Sequence, residues 1–275
     1  MADNNEFENA INNSSLSDKS IQTYTHSYNR LMSYLNSPIL SFTEKQIINK
    51  IDKIDAPSMS KNSMLSVVSL IRKDMGLSTE KLTEYRKKLN ENHYDNKQKS
   101  NEVLKENLPS LNTLQEFTTQ LYKEKKYTDF IINYIMLNFN TRNMDLDLTL
   151  ISNKKFANDS INYIYKTNKY LLLVRNDYKT RDRYGVKKTK IYNANMLRAF
   201  KELLGNDAEH TLLTQRTNIN KYIQERTFNS IGESKYVKIV LNDYYKNGNI
   251  DGFKKVSNNR GTSLEVLYKD YDINM

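Results

Sequence analysis

Between Tyr127 and Phe139 the chain is almost continuously apolar, and it then breaks into Asn140-Thr141-Arg142-Asn143. The run is too short to cross a membrane and too apolar to lie on a surface, so it predicts a helix enclosed by other elements. The rest of the chain must therefore supply a core around it. An arginine placed straight after a buried helix is held at a fixed position by that core. Arg142 is the first candidate functional cation; the bland alternative is a charge that complements the helix dipole.

The segments on either side supply the remaining elements. Residues 1–16 are polar without an apolar period and read as a disordered arm. Ser17 opens a helix whose stripe is Ile21, Tyr24, Tyr28, Leu31 and Leu35, stopped by Pro38. Ser41 and Glu44 suggest a capping box before Ile47, Ile51 and Ile54. Met64 to Met75 gives a third helix, and Ser78 caps a fourth to about Leu89. Residues 17–89 thus form a small all-α domain. Residues 90–109 are polar and charged, end at Pro109, and read as a linker that is partly helical. The second domain covers 110–275. It opens with an amphipathic helix at Leu111–Leu121, then the buried helix, then strand signals at 161–165, 170–174 and 187–192. Helices return at Asn193–Leu204, 216–229, 234–246 and 250–257. The fold class is mainly α with a small antiparallel β-sheet (α+β).

Charge and residue usage narrow the function classes. Lys and Arg exceed Asp and Glu by ten, with a pI near 9.3, which favours a polyanionic partner, nucleic acid first and an anionic membrane second. No apolar run is long enough for a membrane span, and the polar start is no signal peptide. The absence of cysteine excludes disulfides and thiolate metal sites and fits a reducing, intracellular compartment. His26, His93 and His210 lie far apart and suggest no metal site. Arg175, Arg181, Arg183, Lys187 and Lys188, interleaved with Tyr178, Tyr184 and Tyr192, form a basic hairpin suited to tracking phosphates, or simply to solvation.

The tail from Gly261 to Asn274 carries Tyr268 and Tyr271. A tyrosine hydroxyl is a covalent nucleophile only with help, because its pKa of about 10 keeps it protonated unless cations surround it. Among twenty tyrosines, the bland reading of these two is as ordinary packing aromatics on a closing helix.

The order of a helical domain, a linker, a buried helix ending in Arg, a basic hairpin with Lys, several helices and a C-terminal Tyr resembles the tyrosine recombinase (phage integrase) family. The resemblance covers about 17–274. Leu16 to Tyr24 is similar to the opening helix of that family's core-binding domain. Phe139-Asn140-Thr141-Arg142 matches the context of its first catalytic arginine, and Tyr178-Lys179-Thr180 matches its hairpin lysine. Family members carry Gly-His or Gly-Trp with the second residue nine before the nucleophile, and Gly261-Thr262 stands at that spacing from Tyr271. Counting from Tyr268 gives Asn258-Asn259, with no glycine.

The family's His-x-x-Arg box falls roughly 32 residues before the nucleophile, where this chain reads Ser234 to Leu241 with neither His nor Arg. Lys238 takes the Arg place and Lys235 the His place, but a lysine makes a point contact where a guanidinium grips two oxygens. The resemblance implies cleavage and rejoining of double-stranded DNA through a 3′-phosphotyrosine. It makes Tyr271, Arg142, Lys179 and Lys238 the expected catalytic set and calls for no metal, ATP or other cofactor. It also implies self-association on DNA, and a viral or mobile-element protein acting in an infected cell or virion. A second reading keeps the fold as a catalytically degenerate DNA-binding protein in genome architecture, replication or packaging. A third is a virion or host-interaction protein whose basic surface has no DNA role.

Overall fold

The computed structural model describes residues 5–213 and 218–271. The chain divides into two compact units, Met1–Val103 and Leu104–Met275.

The first unit is helical. Helix α1 (Asn5–Asn12) is followed by α2 (Asp18–Leu35), α3 (Glu44–Asp52), α4 (Ser58–Asp74) and α5 (Glu80–Asn107), the last running past the boundary between the units. Ser17 caps α2 by accepting from the Ser20 N–H, and Asn36 in the left-handed region ends it before Pro38. The capping box of α3 is built by Thr43 and Gln46, two residues downstream of the expected pair Ser41 and Glu44. Glu44 is instead buried, accepting from the Leu82 N–H at 2.9 Å at the start of α5. Tyr28, Leu31, Leu35, Ile47, Ile51, Leu65, Val68 and Ile71 form the core.

The supposedly disordered arm contains α1, because Phe7 stacks on Tyr28 at 4.3 Å and Ala10 is 1 % exposed. Two apolar anchors are too few to give a visible period, yet they suffice when a neighbouring helix covers them. The expected partly helical linker is a continuous helix through Asn107, rich in Lys, Glu and Asn that favour or tolerate helix on a solvated face.

The second unit begins with α6 (Leu111–Lys123), capped by Ser110, and α7 (Tyr127–Phe139), the expected buried helix. Phe130, Ile131, Ile132, Ile135 and Met136 are all at most 3 % exposed. Asn140, left-handed at φ 50°, stops α7 and turns the chain into a 3-10 turn at Asn143–Leu146. Five strands follow: β1 (Leu148–Ile151), β2 (Asn162–Lys166), β3 (Leu171–Arg175), β4 (Lys187–Ile191) and β5 (Glu209–Thr211). Their order is β4-β3-β2-β1-β5. β1 and β2 are parallel and the other pairs antiparallel, so the sheet is mixed rather than antiparallel. Leu148 and Leu150 of β1 lie in one apolar core with α7, α9 (Ala194–Leu204) and α10 (Ile219–Gln224). A one-turn helix, α8 (Arg181–Tyr184), interrupts the hairpin between β3 and β4.

The helix expected over 216–229 is shorter, ending at Gln224, and its first two residues lie outside the described ones. The chain closes with α11 (Glu233–Lys246), α12 (Ile250–Arg260) and α13 (Leu264–Tyr271), which share a small core of Val237, Val240, Leu241, Phe253, Val256 and Leu267. Asp272, Ile273 and Asn274 of the tail lie outside the described residues. Among the described residues no helix is long and apolar enough to cross a membrane.

Candidate functional site

The C-terminus of α12 gathers the cations. Its last carbonyls lie at the open end of the helix, and four consecutive ones are taken by side chains, that of Asn258 while also accepting from the Gly261 N–H. Lys187 Nζ donates to the Asn258 carbonyl. Arg175 Nη2 donates to Asn259 at 2.8 Å, Arg142 Nη1 to Arg260 at 2.5 Å, and Thr180 Oγ1 to Gly261 at 2.8 Å. These donors come from the turn after α7, the end of β3, the loop beyond it and the start of β4.

Gly261 permits this convergence. Its φ is +58°, and a Cβ there would lie 2.6 Å from Thr180 Oγ1 and 3.3 Å from Lys187 Nζ. The Gly-Thr step singled out in the sequence is therefore where the hairpin touches the tail.

Arg260 forms the centre. It is 1 % exposed. Its Nη1 donates to the Asn140 carbonyl at 3.0 Å and to Thr141 at 3.4 Å, and its Nη2 donates to Glu233 Oε1 at 2.5 Å and to the Tyr271 hydroxyl at 3.0 Å. The guanidinium lies 4.9 Å from the centre of the Tyr271 ring. Glu233 is fixed in turn, because its other oxygen accepts from the Asn143 N–H at 2.8 Å. Behind this layer, Arg175 and Asp145 form an ion pair at 2.9 Å, both side chains at most 1 % exposed.

The electrostatics follow from the count of charges. Among the described residues, the carboxylates bonded within the cluster of Arg142, Arg175, Lys187 and Arg260 are Asp145 and Glu233. Burial, and then the Arg175 charge, bring the Lys187 ammonium down from 10.5 to about 8. Burial and the nearby Arg260 lower the Arg142 guanidinium from its usual value. Burial raises the Asp145 carboxyl, against the opposing pull of Arg175. Among the described residues, six of the seven buried side-chain polar atoms without a protein partner also belong here: donors on Arg175, Asn259 and Arg260, acceptors on Asn143 and Asp145, and the Thr141 hydroxyl. Such a place, where four cations outnumber the carboxylates bonded to them, suits an anionic oxygen ligand.

Of the residues expected from the sequence, Arg142 and Tyr271 are both bonded to Arg260, half-buried Arg142 to its carbonyl and Tyr271, on the last turn of α13, to its guanidinium. Lys179 is exposed, between buried Tyr178 and the site residue Thr180; the hairpin lysine that contacts the cluster is Lys187. Lys238 is 7 % exposed on α11, five residues beyond Glu233. Arg175, expected to track DNA with the hairpin, is instead buried, because its charge is paired with Asp145. Arg181, Arg183 and Lys188 are exposed. Tyr268 stacks on Phe253 with ring centres 5.2 Å apart, a packing role.

Sequence reasoning missed Arg260, Asp145 and Glu233. A signal for Arg260 existed: Phe253, Val256 and Arg260 lie on one stripe of α12, so a charge occupied a core position. Compared with protein families, curated proteins and solved structures, the chain matches none.

Proposed function

We propose that this chain binds double-stranded DNA and transfers its strands as tyrosine recombinases do, through a 3′-phosphotyrosine on Tyr271. The observation that carries the reading is the convergence at the end of α12, where Arg142 bonds the Arg260 carbonyl, Lys187 bonds the Asn258 carbonyl and the Arg260 guanidinium bonds the Tyr271 hydroxyl. Arg142 is half-buried and uses Nη1 on a carbonyl, which leaves its other face for non-bridging phosphate oxygens. Lys187, with its ammonium titrating at about 8, can give a proton to the departing 5′ oxygen near neutral pH. Tyr271 attacks phosphorus, and the covalent link keeps the energy of the broken bond for rejoining. The exposed Arg181, Arg183, Lys179 and Lys188 then follow the flanking backbone.

A catalytically degenerate DNA-binding module is the second reading. It is favoured by the bonds that the cluster's cations already make to α12 carbonyls, an arrangement that also serves to cap a helix.

The test is incubation of the purified chain with a pool of nicked duplexes of randomised sequence, followed by denaturing gels. A covalent adduct that disappears in Tyr271→Phe supports strand transfer. Retention of salt-sensitive binding with no adduct anywhere in the pool favours the binding module. No binding at low salt contradicts both.

A further inference from the structure

The guanidinium that reaches the Tyr271 hydroxyl does not come from α11, where no arginine stands between Ser234 and Leu241, but from the end of α12. At 1 % exposure, Arg260 is placed to serve a group inside the protein rather than to meet a duplex at the surface. Burying a charge is costly unless bonds hold it, and this one is held by two carbonyls and Glu233. Its fork thereby joins the end of α7, the start of α11 and the Tyr271 helix.

We infer that Arg260 is a catalytic cation dedicated to the nucleophile, fixing the Tyr271 oxygen and receiving the negative charge that gathers there, while Arg142 serves the phosphate. The inference rests on Tyr271 being the nucleophile. Because Arg260 donates to the phenol oxygen, the phenolic hydrogen must point elsewhere, which leaves it open to solvent or substrate. In cleavage the bond from phosphorus to Tyr271 Oη forms and the bond to the 5′ oxygen breaks. The phenolic proton passes to water and the 5′ oxygen takes a proton from Lys187. In rejoining, the same steps run backwards: a 5′ hydroxyl attacks and returns its proton to Lys187. The Tyr271 oxygen leaves as a phenolate facing Arg260 and then regains a proton from water. Stabilisation of the oxygen that carries charge in both directions is what a preorganised donor supplies.

Leaving-group chemistry separates this role from that of Lys187. The substrates are nicked duplexes of randomised sequence carrying, at one fixed phosphodiester, either the ordinary 5′ oxygen or a 5′-bridging sulfur, whose thiolate departs without a proton. Initial rates of adduct formation are measured for the wild type, Arg260→Ala, Arg260→Lys and Lys187→Met. Arg260→Ala should be slower by about 100-fold or more on both substrates, the size expected for a lost transition-state donor. Arg260→Lys should regain part of that loss. Lys187→Met should be slow on oxygen and restored on sulfur. Arg260→Lys also carries the comparison if Arg260→Ala melts early: a rate equal to wild type on both substrates overturns the proposal. So does full rescue of either Arg260 variant by sulfur, which would assign the residue to the leaving group. An adduct that survives Tyr271→Phe, or none formed by the wild type, removes the strand-transfer reading and this proposal with it. An adduct that needs Tyr271 but is indifferent to Arg260 overturns this proposal alone.

Discussion

The two units bury different things. The first buries an aliphatic and aromatic core, and its buried Glu44 and Ser69 each have a hydrogen-bond partner. The second also buries Arg175, Arg260 and Asp145, and all seven of the unpartnered buried polar atoms among the described residues belong to it. An apolar core is the cheap way to hold helices together. Buried charges with unused bonding capacity cost stability, and they persist where the arrangement is needed for something other than folding. The contrast separates a unit organised for packing from one organised around a charged site.

Four substitutions or titrations can break that contrast. The largest effect is expected from Arg142→Ala, which should slow adduct formation about 100- to 1000-fold. Because Arg142 is only half-buried, thermal melting should shift little; a large fall in melting temperature would make it a structural cap instead. Next is Arg175→Met, which strands Asp145 and should cost about 3–5 kcal/mol in denaturant unfolding. The double variant Arg175→Met, Asp145→Leu should recover most of that loss, since two apolar side chains replace a pair that burial disfavours. Failure of the double variant to recover would show that the pair is a net stabiliser. In the first unit Leu65→Ala, at a fully buried position, should cost about 2–5 kcal/mol. It should leave the intrinsic rate of adduct formation unchanged under conditions where the protein stays folded.

The smallest effect is a titration with opposed signs. The Lys187 ammonium is held at about 8 in the folded chain against 10.5 for an unperturbed lysine. Between those values the unfolded chain binds more protons, so Lys187 makes stability rise with pH. Adduct formation should fall over the same window as the proton donor is lost. Lys187→Met should remove both trends, measured as unfolding free energy and as rate against pH. Parallel trends would point to general unfolding rather than to loss of an acid.

The sequence made the helices legible wherever apolar residues recur over several turns, as in α2, α4 and α7. It hid α1, whose buried anchors are only Phe7 and Ala10, and the continuation of α5, whose charged residues read equally well as a tether. The parallel pairing of β1 with β2 was not readable, because Leu148–Ile151 is four residues long and buried throughout, without alternation. At the site, Arg142 stood out because it follows a buried helix, and Tyr271 because the family resemblance sets the nucleophile nine residues after Thr262. Which lysine of the hairpin turns inward was not, since β4 alternates and Lys187 and Lys188 differ only in which side they face. Glu233 and Asp145 escaped because a carboxylate that fixes a cation carries no spacing signature.

The central claim is that the oxygen of Tyr271 becomes bonded to DNA phosphorus. Protease digestion of the covalent adduct, followed by mass mapping of the nucleotide-bearing peptide, tests it most directly. The added nucleotide mass should fall on the peptide containing Leu264 to Tyr271, with fragmentation locating it on Tyr271. Nucleotide mass on Tyr268, on another residue, or on no peptide at all would contradict it.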